Sequence, residues 1–139
     1  MSQPTQRDVD ILLRLWEMHN TSEMQVARMW VFTEFEAADY AEFKRKYPPG
    51  SLEWRRFNSV YGMYELYGVL ISRRLLDADL FFDLFGGIDL LWEKLAPLLP
   101  GMRQEIDPYL YENFKLLHGE AKRWQAEHPP RNDGAPGQS

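Results

Sequence analysis

A chain of 139 residues with 45% apolar and 14% aromatic side chains can build one domain around a real core. It contains no cysteine, which excludes disulfides, thiolate nucleophiles and thiolate metal sites. A formal charge of -5 disfavours nucleic acid as a partner, and no apolar run approaches the roughly 20 residues that span a bilayer.

The N-terminus, MSQPTQRDVD, lacks the basic-then-apolar pattern of a signal peptide, so a soluble cytoplasmic protein is expected. Thr5 to Asn20 predicts a first helix. Val9, Leu12, Leu13 and Trp16 share one face at helical spacing, and Ile11, Leu15 and Met18 lie roughly opposite. A surface helix usually carries one apolar stripe, so the second face calls for a partner or for a place inside the fold.

Ser22 with Gln25 matches a capping box and predicts the second helix. Met24, Ala27, Val31, Phe35 and Ala38 form one face of it; Val26, Trp30 and Ala37 form another. Asp39 and Glu42 suggest a fresh cap and a short continuation, which Pro48-Pro49-Gly50 ends. Ser51 caps a long third helix reaching about Leu75. Phe57, Val60, Tyr61, Tyr64, Gly68, Ile71 and Leu75 line its apolar side. Glycine costs up to about 1 kcal/mol against alanine in a helix interior, so Gly68 implies close approach of a neighbouring helix. Gly62 lies off that side and has no such account.

Asp77 caps the next helix, with Leu80, Phe81, Leu84 and Phe85 expected inside and Phe82 elsewhere. After Gly86-Gly87, a helix carries Ile88, Leu91, Trp92, Leu95, Leu99, Arg103 and Ile106 on one face, interrupted at Pro97 and Pro100-Gly101. Asp107-Pro108 signals the last helix start, and Leu110, Phe114, Leu117, Ala121 and Trp124 follow at heptad-like spacing. No stretch alternates over strand length. The expected fold is all-α, an irregular bundle of five or six helices in a single domain over residues 1–127. The Pro/Gly-rich tail, 128–139, is expected to be disordered.

Tyr64-Glu65-Leu66-Tyr67-Gly68-Val69-Leu70-Ile71, then Leu75-Leu76-Asp77, Trp92 and Arg103, resembles a bacterial helical family of unknown function over roughly residues 50 to 120. Many members of that family carry the domain behind a membrane-spanning helix; this sequence departs in lacking such a segment. The resemblance implies an all-helical fold and transfers no activity or catalytic residue.

Candidate chemistry is sparse. Glu65 and Arg103 lie beside two core-facing stripes and are expected to pair, fixing helix register; with Tyr61 and Tyr64 they could instead form a polar pocket for an anionic ligand. His19, His118 and His128 are scattered and are expected at the surface, without the spacing of a metal motif. Glu34, Glu36, Asp39 and Glu42 lack the Glu-x-x-His spacing of a di-iron site. Arg55-Arg56 and Arg73-Arg74 lie too far apart to form a basic patch. No metal, cofactor or catalytic residue is therefore expected. The surplus of apolar faces on the first two helices points to a non-enzymatic interaction module, self-associating as a homodimer or docking another protein. Its expected interface is Ile11, Leu15, Met18, Val26 and Trp30. The alternative is a ligand-binding or catalytic domain around Glu65, Arg103, Tyr61 and Tyr64.

Overall fold

The computed structural model of the chain describes residues 3–131, so the expected tail lies outside the described residues from 132 onward. Local side-chain chemistry accounts for most helix starts. Thr5 and Asp8 form a reciprocal capping box before α1 (Gln6–His19). Thr21, one residue earlier than the expected Ser22, accepts the Met24 amide and starts α2 (Ser22–Thr33). Asp39 caps α3 (Tyr40–Lys46), Ser51 caps α4 (Leu52–Ser72) and Asp77 caps α5 (Ala78–Leu84). Gly87, with φ +75°, turns the chain into α6 (Ile88–Leu95).

A 3-10 turn (Ala96–Leu98) joins α6 to α7 (Leu99–Glu105), with Pro97 and Pro100 at first-turn positions where no N–H is required. The last helix is α8 (Glu112–Glu127). The described residues are all helical, without a strand. If α6, the 3-10 turn and α7 count as one kinked rod, there are seven rods. The expected five or six falls short because α2 stops at Thr33 and α3 stands alone. Phe35 and Ala37 are buried from an irregular connection, not from a helix face.

The longest helix, α4, is the centre of the molecule and packs most extensively on α8 and α2. It buries Phe57, Val60, Tyr61, Tyr64, Tyr67, Gly68 and Ile71, and α8 answers with Phe114, Leu117 and Ala121. Aromatic rings from the connections and neighbouring helices complete the core; Phe35, for example, touches Phe43, Tyr47 and Phe57. In α5 the expected inner set is corrected. Phe82 is buried against Trp124 of α8, and Leu84 is exposed.

The buried arc of α1 cuts across the two expected faces: Ile11 and Leu12 are half-buried against the core, and Met18 is exposed. Leu15 is buried at 4% exposure, while Val9, Leu13 and Trp16 are exposed. Two polar side chains on the Leu15 arc decide this. Asp8 Oδ1 accepts the Asp77 amide at 3.0 Å, and His19 Nδ1 bonds the Tyr67 hydroxyl at 2.8 Å. Both apolar faces could be buried with similar gain, so these tertiary hydrogen bonds set the rotation of the helix.

Candidate functional site

Of the acid, base and tyrosines singled out in the sequence, Glu65 serves the seam between α4 and α8. Glu65 Oε1 accepts the Phe114 amide at 2.8 Å, and Glu65 Oε2 accepts from Asn113 Nδ2 at 2.9 Å. The α8 start needs this help. Its N-cap, Tyr111, is left-handed with φ 59° and supplies no capping oxygen. A carboxylate there also meets the positive end of the helix dipole. One turn along α4, a Cβ on Gly68 would stand 2.1 Å from the Asn113 carbonyl oxygen. Gly68 therefore admits the α8 backbone and Glu65 caps it.

Arg103 does not pair with Glu65, contrary to expectation. Its Nε donates to the Leu110 carbonyl at 3.0 Å, across the 106–111 connection, and its Nη2 is buried without a partner. Arg103 thus holds the connection before α8 and Glu65 the first turn of α8, with no bond between the two side chains. Tyr61 donates to the Leu91 carbonyl at 2.8 Å and Tyr64 to the Gly86 carbonyl at 3.4 Å. Burial raises the Tyr61 pKa well above the ordinary phenol range and that of Tyr64 to about 12, so both remain neutral donors. Glu65, Tyr61, Tyr64 and the Arg103 Nε are engaged by the protein itself, while the Arg103 Nη2 is not, and these residues line none of the clefts described below.

Of the three histidines, His19 departs from the expected surface position and His128 keeps it. His19 is buried among Trp16, Tyr64, Tyr67 and Phe85, with its ring edge-on to Phe85 at 4.9 Å. Burial, with the nearby Arg28 guanidinium, lowers its pKa to about 4. Arg28 Nη1 in turn donates to the His19 carbonyl. His118 is half-buried, stacks on Trp92 and lies 3.0 Å from Asp89 Oδ1. His128 is exposed and stacks on Trp124. Among the described residues no group of three or more His, Asp or Glu is placed to hold a metal ion.

A further polar-apolar feature is the outward side of α4 and the clefts beside it. One cleft, of about 560 Å³, runs between α2 and α4 past Glu23, Val26, Leu52, Arg55, Arg56 and Ser59. A second adjoins it at Val26, Met29, Trp30, Glu34 and Arg56. Another, of about 440 Å³, separates α1 from the far half of α4 at Asp10, Ile11, Arg14, Met18, Leu66 and Leu70. Between them the α4 surface is open at Ser59 and Gly62. Met29 is 64% exposed, Val26 50% and Leu52 48%.

The expected interface set is thus divided. Ile11 and Met18 edge the α1 cleft, and Val26 lies in the open on α2. Leu15 and Trp30 are corrected to core residues, since Trp30 is 6% exposed and packs on Phe35 and Tyr47. Sequence reasoning missed Met29, Leu52 and Leu66. Their signal was an apolar residue on the polar side of a helix whose other side already sufficed for a core.

Residues 4–124 match DUF4760, described as a domain of unknown function. The chain belongs to the DUF4760 family. No curated protein and no solved structure matches it. The DUF4760 match takes in α1 to α7 and most of α8, so the Glu65–Gly68 seam and the outward α4 side both lie inside the family's span. Among the described residues no helix is long and apolar enough to cross a membrane.

Proposed function

We propose that this DUF4760 chain is a non-enzymatic helical interaction module that self-associates through the outward side of α4 and the flanking edges of α1 and α2. One observation carries the reading. Val26, Met29, Leu52 and Leu66 stand exposed on that side, among charges that form no ion pair with the described residues: Glu23, Glu34, Arg14, Arg55 and Arg56.

Burying each such aliphatic side chain contributes about 1.5–3 kcal/mol gross, against which association loses translational and rotational freedom. Both signs of charge border the same apolar strip, so a second copy can meet acid with base. A two-fold dimer is the commonest arrangement that covers such a face.

Sedimentation of the chain at micromolar concentration tests this. A dimer is expected, and Met29→Glu or Leu66→Arg should return it to a monomer with unchanged helicity and melting. A wild-type chain that stays monomeric overturns the proposal. So does a dimer whose mass neither substitution alters.

A further inference from the structure

We infer that two copies meet with their α4 helices antiparallel, crossing at Ser59 and Gly62; this rests on the self-association reading above. Leu52, Arg55, Ser59, Gly62, Leu66 and Val69 follow one another at alternating spacings of three and four residues. That spacing keeps side chains in one line along a helix that packs against another.

The line matches itself reversed at its ends and its middle. Its ends are the apolar Leu52 and Val69, and its middle is the small pair Ser59 and Gly62. Aligned antiparallel, Leu52 of one copy meets Val69 of the other, Ser59 meets Gly62, and Arg55 lays its aliphatic stem against Leu66. A parallel alignment sets Arg55 against Arg55 and repels.

Gly62 supplies a separate argument. It lies in the interior of a 21-residue helix, exposed, and a Cβ built there meets nothing within 4 Å. Glycine destabilises a helix interior relative to alanine, and Gly62, unlike Gly68, has no neighbour in its own chain that needs the space. A second helix crossing at that point would use it. The antiparallel pairing also brings Arg55 and Arg56 toward the cleft that holds Asp10 of the second copy. Glu23, beside Ser59, is brought toward Arg14 of that copy. The occupant is therefore another copy of this chain.

The absence of native cysteine makes cross-linking a clean test. Under mild oxidation, a mixture of Leu52→Cys and Val69→Cys chains should form a disulfide-linked dimer. Leu52→Cys alone should not, because its two sulfurs would lie about 25 Å apart along antiparallel helices. Gly62→Leu should weaken the wild-type dimer at least about tenfold in Kd while leaving helicity intact. Linking of Leu52→Cys with itself overturns the antiparallel crossing. A dimer that links in neither case, or that tolerates Gly62→Leu unchanged, also overturns it and leaves self-association standing. A monomeric wild type overturns both.

Discussion

The carboxylate of Glu65 on α4 caps α8 by accepting the amide of Phe114, 49 residues further along the chain, at 2.8 Å. A helix start is usually capped by its own preceding residue. Here that residue, Tyr111, is left-handed, and the oxygen comes from another helix. Helix initiation and helix packing are thereby one event. Glu65→Ala should destabilise the fold by about 1–3 kcal/mol, the range for a lost cap that strands an N–H. Urea melts of the two proteins measure it, and a loss under about 0.5 kcal/mol, the range of a neutral surface change, would show that the cap is dispensable.

Gly68→Ala attacks the same seam sterically. The new Cβ would meet the Asn113 carbonyl oxygen at 2.1 Å and its carbon at 2.5 Å, both backbone atoms that cannot swing aside. Overpacking of this kind costs about 1–3 kcal/mol. Because α8 must back away from Glu65 too, the double variant Glu65→Ala/Gly68→Ala should lose less than the sum of the two single losses. Strict additivity in thermal or urea melts would contradict a shared seam.

Stability should fall on mild acidification through His19. Its folded pKa is lowered to about 4 from 6.5, so the neutral ring is the one the fold accommodates. The contribution is fully present above pH 6.5 and is lost as pH falls from there through about 4. The loss amounts to about 3 kcal/mol at one pKa unit per 1.36 kcal/mol. Urea midpoints across that window should fall in the wild type, and the part due to His19 should be absent in His19→Phe. Parallel curves for the two proteins would remove His19 as the cause.

Arg103→Met should be milder than the rupture of a buried ion pair, which costs about 3–5 kcal/mol. The guanidinium gives up one bond, to the Leu110 carbonyl, and leaves no stranded carboxylate, since Glu65 keeps its partners on α8. A loss of about 1–3 kcal/mol is expected from that charge-assisted bond. Urea melts decide, and a loss beyond about 4 kcal/mol would restore a direct link between Arg103 and the Glu65 network.

The mistaken Glu65–Arg103 pairing shows how far helical angle carries a site argument. Both side chains do turn toward the α4–α8 region, as their stripes imply. Each then finds backbone first: Arg103 meets the Leu110 carbonyl in the 106–111 connection, and Glu65 meets the Phe114 amide in the first turn of α8. Gly68 was legible as a close-approach position, since its penalty demanded a neighbour. Gly62 posed the same question without an answer inside the chain. His19 was illegible: a lone histidine near a helix end carries no mark that Tyr67, 48 residues away, will receive it.

The caps Thr5, Asp39, Ser51 and Asp77, the proline interruptions and the glycine breaks were determined by sequence alone, because each satisfies backbone groups within a few residues. Together with the helical spacing of apolar residues they determined the all-α class. Only tertiary structure decided which face of α1 is buried, where α8 begins and what Glu65 bonds. On α1 the buried arc takes residues from both apolar faces, and it is fixed by the hydrogen bonds that Asp8 accepts and His19 shares with groups 69 and 48 residues away. Hydrophobic burial is non-directional and leaves such choices open. Directional polar contacts between distant segments close them, and those exist only once the chain has folded.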